Sequence, residues 1–332
     1  MKRVLVTGSD GLVGNALKRE SQRYKDKYEF IFSSRKGSTH QPAADLTEEN
    51  HVGALYNNYK PNYVIHAAAK VGGIGGNMIG HGEYLYQNLL MNAYMIHHAW
   101  LNNVEKMLAF SSVCVFPDNV EVLREDLMHE GPPFEGNFAY AHAKRMVDVQ
   151  VQAYKSQYDV KNYCSIIPGN IFGTHDLYNL QHAHVIPALI HKLYLAKKNK
   201  EPFKIWGDGK STREFIFVDD MAKILCSLLE KEDVPERLLI CGTEQHSISE
   251  IVKMLVEAAE FEGEVIYETD KPNGQRSRQS DISLLKSIYP EFELGQTNIK
   301  EAINVSYKWF EKNYGQESVS SGAFGFGAKL RI

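Results

Sequence analysis

Val4-Leu5-Val6-Thr7-Gly8-Ser9-Asp10-Gly11-Leu12-Val13-Gly14, at the head of the 332-residue chain, decides the fold. Val4–Val6 reads as a strand and Leu12–Arg23 as a helix. Between them Gly8, Gly11 and Gly14 make a GxxGxxG turn. Such glycines permit a tight strand-to-helix reversal and let the backbone approach a pyrophosphate. The helix N-terminus then offers unpaired N–H groups and the positive end of its dipole to that anion. The string alone is weak evidence; its place between a strand and a helix at the start of the chain makes it a dinucleotide-binding signal.

Outward from that turn, Phe30–Phe32, Val64–Ala67, Lys106–Ser111 and Asn162–Ile167 read as strands, and Tyr84–Asn102 and Ala139–Tyr158 as helices. The alternation implies an α/β protein with a Rossmann-type, doubly wound parallel sheet covered on both faces. The second half is less regular. Helices are expected at Val185–Lys197, Asp219–Lys231, Ile248–Phe261 and Ile299–Tyr314, with strands at Phe203–Gly207, Phe215–Val218 and Glu264–Tyr267. No repeat or low-complexity linker separates the halves, so a smaller α/β C-terminal substrate domain is expected to interleave with the first. Residues 1–167, plus about 214–240, are assigned to the dinucleotide-binding domain; 168–213 and 241–315 form the substrate domain. The Ser- and Gly-rich stretch 316–332 reads as a flexible tail.

The composition is that of an ordinary globular protein: 43% hydrophobic, 23% charged, net charge −4. A nucleic-acid-binding surface would need a basic excess, so no nucleic-acid partner is expected. No apolar run is long enough to span a membrane, and the N-terminal apolar stretch breaks too early for a signal peptide. Cys114, Cys164, Cys226 and Cys241 are widely spaced and lack CxxC pairs, which argues against a metal site and a disulfide framework. A cytoplasmic setting follows.

The end of the second strand selects the cofactor. An NAD site usually places an acid there; here Ser33-Ser34-Arg35-Lys36 offers hydroxyls and cations, which suit the 2′-phosphate of NADP(H). The bland alternative is a pair of solvated loop charges. Asp45-Leu46, ahead of a further helix, is either an adenine contact or a helix N-terminal acid.

A catalytic set follows the fourth strand. Ser111-Ser112-Val113-Cys114-Val115-Phe116-Pro117 succeeds it, and Tyr140 and Lys144 lie four apart on one helical face. A phenol is too weak an acid to ionise at neutral pH; a neighbouring ammonium favours phenolate and brings its pKa toward the working range. A serine hydroxyl can hold a substrate carbonyl against the phenol.

With these residues the chain resembles the extended short-chain dehydrogenase/reductases. It resembles the GDP-L-fucose synthase family more closely still, through Ala67-Ala68-Ala69-Lys70-Val71-Gly72-Gly73-Ile74, Tyr86-Gln87-Asn88, the Ser-x-Cys-x-Phe-Pro string, His184-Val185-Ile186-Pro187-Ala188-Leu189 and Arg213-Glu214-Phe215. These segments run in order from residue 4 to about 315. The resemblance implies a homodimeric enzyme that epimerises carbons 3 and 5 of a GDP-linked 4-keto-6-deoxy sugar and then reduces the ketone with NADPH. It implies Ser112, Tyr140 and Lys144 as the reductase set and Cys114 and His184 as the epimerisation acid/base pair. Read alone, Cys114 would be a buried structural thiol and His184 a satisfied core imidazole. The resemblance also implies cofactor contacts at Gly8, Gly11, Leu12, Val13, Gly14, Ser34, Arg35, Asp45, Leu46, Ala67, Ala68, Ala69, Tyr140, Lys144, Pro168, Asn170 and Ile171. Val185, Leu189, Lys192, Trp206, Arg213 and Arg278 are implied for the nucleotide sugar; an aromatic plane and a guanidinium suit a base and a diphosphate.

The chain departs from the family in the Gly-rich loop 75–82, in the stretch 118–136, at Phe116, where Tyr is common, and at Asp10. The first two lie where the sugar is expected, so a related sugar such as a 4-keto heptose, reduced without epimerisation, is the nearest alternative. An NAD-dependent nucleotide-sugar 4-epimerase or dehydratase is more distant, as the dehydratase's Asp-Glu pair is absent. A non-enzymatic NADP-binding regulator would more readily have lost Tyr140 or Lys144.

Overall fold

β1 (Lys2–Thr7) shows why the sheet is buried on both faces: Val4, Leu5 and Val6 are all fully excluded from solvent. Their side chains alternate. Val4 and Val6 enter one apolar cluster and Leu5 the other, the arrangement expected of a parallel sheet between two helical layers. The computed structural model describes residues 1–72, 80–180, 182–271 and 277–314. The expected tail, Gly73 and Ile74, and residues 75–79 of the Gly-rich loop lie outside the described residues.

Further strands follow in chain order: β2 (Tyr28–Ser33), β3 (Tyr63–His66), β4 (Lys106–Phe110), β5 (Val122–Leu123), β6 (Asn162–Pro168), β7 (Asn170–Phe172), β8 (Phe203–Trp206) and β9 (Thr212–Phe217). After them come β10 (Arg237–Ile240), β11 (Gln245–Ser247), β12 (Val265–Glu268) and β13 (Gln279–Ser280). Six form a parallel sheet in the order β10-β6-β4-β3-β1-β2. A single parallel bridge, Ser34 to Ala43, extends its edge beyond β2. This is the Rossmann-type doubly wound sheet, and its winding reverses between β1 and β3.

The register places the C-terminal ends of the strands along one edge: Thr7 pairs with Ser33 and His66, His66 with Ala109, and Phe110 with Ile166. The glycine turn after β1, residues 34–36 after β2, 67–69 after β3 and 111–117 after β4 all leave that edge, where ligands of open α/β sheets bind.

The helices α1 (Leu12–Glu20), α2 (Glu49–Tyr59), α3 (His81–Leu101), α4 (Phe138–Tyr158), α5 (Val185–Asn199), α6 (Val218–Glu230), α7 (Ile248–Ala259) and α8 (Ile299–Tyr314) cover the sheets. Residues of α2, α3 and α4 share one cluster with Leu5, Val64 and Met107. The other cluster joins Val4, Val6 and Ile166 to Leu189 on α5, Ile251 on α7 and Tyr307 on α8, so the two halves of the chain share a core. The second half interleaves as well: β9 bonds to β7 and β11 in a separate three-stranded sheet, whereas β10 completes the main sheet.

Several elements differ from the sequence reading. The expected helix Leu12–Arg23 ends at Glu20 and tightens into a 3₁₀ turn over Ser21–Tyr24, where the Ser21 hydroxyl donates back to the Lys18 carbonyl at 3.0 Å. The strand expected at Phe215–Val218 runs from Thr212 to Phe217, and Val218 opens α6. β5, β7, β10, β11 and β13 were not read from the sequence. Each has only two to four residues, too few to display a period.

Candidate active site

The glycine turn is shaped for close approach. Gly8 has φ +75°, a conformation that favours glycine, and a Cβ there would lie 2.8 Å from the Ala68 nitrogen. A Cβ on Gly14 would lie 2.4 Å from the Gly8 carbonyl oxygen. The turn closes through the Gly11 N–H to the Gly8 carbonyl at 3.0 Å. Gly11 caps α1 without a side-chain bond, so the first N–H groups of α1, from Leu12, Val13 and Gly14, are left for an external anion. Ala67, Ala68 and Ala69 leave β3 half-buried beside Gly8.

Ser34 is buried and its Oγ accepts the Gly37 N–H at 3.0 Å, which leaves its own proton to donate. Arg35 is exposed, and its charge helps to lower the Asp45 pKa. Asp45 Oδ1 accepts from the Thr47 N–H at 3.0 Å and the Thr47 hydroxyl at 2.7 Å, in a turn that ends before α2 opens at Glu49. Leu46 is buried in the core. Across the edge, Pro168 ends β6 buried, while Asn170 and Ile171 lie in β7; Asn170 Nδ2 donates to the Glu214 carbonyl at 3.0 Å. These residues fit a dinucleotide phosphate at the turn and a further phosphate at Ser34 and Arg35.

Tyr140, Ser112 and Cys114 come together at the next loop. Ser112 opens the 3₁₀ turn Val113–Val115, and its Oγ accepts the Cys114 N–H at 3.2 Å. Tyr140 is buried; burial pushes its phenol well above the ordinary value, the neighbouring Cys114 adds to the rise and the nearby Ser112 opposes it. The phenol therefore holds its proton at neutral pH and is poised as an acid. Lys144 shares the helical face, but its ammonium is spent on the backbone, with Nζ donating to the Phe110 carbonyl at 2.8 Å. Burial draws this lysine down to about 7.

The Cys114 thiol is half-buried, and its pKa is raised by burial against the opposing pull of Ser112, Arg278 and Asn137. His184 is solvent-exposed and stands as the N-cap of α5. Arg278 donates from Nη1 to the Pro117 carbonyl at 3.0 Å. Its charge reaches both Cys114 and Arg213, whose pKa is lowered by burial and then by Arg278. Two guanidiniums that sense each other's charge suit a polyanion. Lys192 on α5 lies over the exposed Trp206 ring, 4.5 Å from its centre. Val185 is half-buried and Leu189 packs into the core.

The pattern of the NAD dependent epimerase/dehydratase family matches residues 4–241. The chain belongs to that family. It is 38% identical to the GDP-L-fucose synthase of Dictyostelium discoideum over 94% of this chain and 96% of that one. Among solved structures, the GDP-L-fucose synthetase of Naegleria fowleri bound to NADP has a TM-score of 0.86 and 30% identity, covering 95% of each chain. The GDP-mannoheptose C4 reductase of Campylobacter jejuni with NADP bound is further away, at 25% identity and a TM-score of 0.80 over 93% of this chain and 98% of that one.

Sequence reasoning missed several residues of this family member's site. His66 is fully buried between the Thr7 hydroxyl at 2.8 Å and Asn92 at 3.1 Å. Burial, aided by the Lys144 charge, takes it down to about 3, so a neutral imidazole braces the ends of β1 and β3. A lone histidine at the end of the apolar run Tyr63–His66 was the available signal. Arg145, next to Lys144, donates to the carbonyls of Val115 at 2.6 Å and Gly131 at 2.7 Å, tying the Cys114 turn to α4. Only the fold brings those carbonyls, 30 and 14 residues away, to its side chain.

Proposed function

We propose that the protein is an NADPH-dependent epimerase/reductase of a GDP-linked 4-keto-6-deoxy sugar, in GDP-sugar biosynthesis. The observation that carries this reading is the turn in which the Cys114 N–H bonds the Ser112 Oγ at 3.2 Å, with Tyr140 buried and Arg278 bonded to the Pro117 carbonyl at 3.0 Å. Gly8, Gly11 and the N–H groups of residues 12–14 would hold the pyrophosphate, and Ser34 and Arg35 the 2′-phosphate. When bound, the dinucleotide supplies a hydride. Ser112 holds the ketone oxygen, and the Tyr140 phenol protonates it as the hydride arrives. Before that, Cys114 removes a proton beside the ketone and His184 returns one from the other face, with the enolate oxygen stabilised by the Ser112 and Tyr140 hydroxyls. The main sheet forms the cofactor domain, with Arg213, Trp206, Lys192 and Arg278 on the sugar-nucleotide side. Incubation with GDP-4-keto-6-deoxymannose and NADPH, followed by product NMR, tests the reading; an unconsumed sugar refutes it.

A 4-reductase without epimerase activity is the second reading. It is favoured by one observation, the raised proton affinity of the Cys114 thiol.

Arg35→Ala is expected to raise the KM for NADPH about tenfold and leave that for NADH nearly unchanged, since an Arg–phosphate pair is charge-assisted. Steady-state kinetics with both cofactors check this; equal or better specificity constants for NADH in the parent protein refute the assignment.

The working form is a homodimer in this reading. Tyr86 and Leu101 on α3 and Phe138, Met146 and Val149 on α4 are exposed, large and apolar, as suits a helical face covered by a second copy. Light scattering at micromolar concentration is expected to give twice the mass of the chain. A cytoplasmic location is supported by four unpaired cysteines, and among the described residues no helix is long and apolar enough to cross a membrane.

A further inference from the structure

Arg278 sits on a segment with little regular structure of its own. β13, directly after it, has two residues and pairs only with the equally short β5. A ladder of that length does not hold a strand by itself. Side-chain bonds to β9 and β11, the strand pair that carries Arg213, hold it instead. Glu214 and Gln245 face each other across that pair. Gln245 Nε2 donates to the Arg278 carbonyl at 3.1 Å, and Glu214 Oε1 accepts the Ser280 N–H at 3.0 Å. The Thr212 hydroxyl donates to Gln245 Oε1 at 3.1 Å, which turns the amide end of that side chain toward Arg278. The Thr212 N–H donates to the Ser277 Oγ at 3.0 Å. The chain is thus gripped before, at and after Arg278 from one pair of strands. The Arg278 guanidinium then donates from Nη1 to the Pro117 carbonyl at 3.0 Å, in the loop that holds Ser112 and Cys114. A guanidinium has five N–H donors, so this bond is compatible with a bidentate one to an anion.

We propose that Glu214 and Gln245 are positioning residues for nucleotide-sugar binding: together they lock the main chain of Arg278 to the strands that carry Arg213, so that both guanidiniums meet the diphosphate already placed. The proposal rests on the reading of Arg278 as a nucleotide-sugar contact and deepens it. A guanidinium on a loose segment must be ordered when it binds, and ordering it beforehand returns that cost as affinity. The Ser280 N–H needs an acceptor and not a charge, so a carboxamide at position 214 serves as well as a carboxylate. Asn170 Nδ2 bonds the Glu214 main-chain carbonyl at 3.0 Å. Substitution of the Glu214 side chain leaves that bond in place, so the cofactor side of the edge is undisturbed.

The test titrates the full chain with GDP by calorimetry in the presence of NADPH, and measures KM and kcat on GDP-4-keto-6-deoxymannose. Arg278→Ala sets the reference, with an expected loss of GDP affinity of about 30-fold for a charge-assisted contact. Glu214→Ala and Gln245→Ala should each weaken GDP about tenfold and raise the sugar KM in parallel, with kcat within about twofold of the parent and NADPH affinity unchanged. Glu214→Gln should restore the parental GDP affinity. In the Arg278→Ala background neither alanine substitution should weaken GDP further, because each acts through that guanidinium. Gln245→Ala carries the test if Glu214→Ala does not fold. Parental GDP affinity in the folded alanine variants, or losses that add in full to that of Arg278→Ala, overturn the proposal. Parental GDP affinity in Arg278→Ala overturns the reading of Arg278, and this proposal with it.

Discussion

Tyr140→Phe is expected to slow NADPH oxidation on the keto sugar by about 10³-fold, inside the 10²–10⁴ range of a positioned general acid. The substitution removes one oxygen from a buried ring that otherwise stays in place, so the fold and NADPH affinity should persist. The phenol is the acid within reach of Ser112, and burial keeps its proton on through the neutral range. Lys144 cannot substitute, because its ammonium is tied to the Phe110 carbonyl. Single-turnover NADPH absorbance decay measures the loss. A fall of less than about tenfold would mean that another group protonates the alkoxide.

Cys114→Ser is expected to cut solvent deuterium uptake beside the ketone by at least about 10²-fold while leaving NADPH binding intact, since a serine hydroxyl is far harder to ionise than a thiol. The pH dependence carries the same signature. The Cys114 pKa is raised above its ordinary value, so at neutral pH the thiolate is a minor species whose fraction grows about tenfold per pH unit. Uptake limited by proton removal should climb with that slope from pH 7 to 8 in the parent enzyme and lose it in the variant. Product NMR in D₂O reads both. If the parent reduces its sugar with no deuterium at those carbons, the protein is a 4-reductase and epimerisation occurs elsewhere.

The dinucleotide turn of this protein is legible in the chain alone. GxxGxxG between Val4–Val6 and Leu12 is local chemistry: a positive φ at Gly8, a Cβ-free contact at Gly14 and an uncapped helix start follow from residues adjacent in the chain. The long strands and helices were legible for the same reason, because a period of two or 3.6 repeats within one segment. Tyr140 and Lys144 were legible as neighbours on one helical face, but what each touches was not. The fold sends the ammonium to Phe110 and leaves the phenol with Ser112 and Cys114. The carbonyls that Arg145 reaches and the bracing of His66 by Thr7 and Asn92 depend on segments far apart in the chain meeting in the fold. Long-range packing alone fixes which backbone carbonyls Arg145 satisfies. Burial shifts proton affinities in the same way, since desolvation is set by the whole surrounding chain and not by neighbours in sequence.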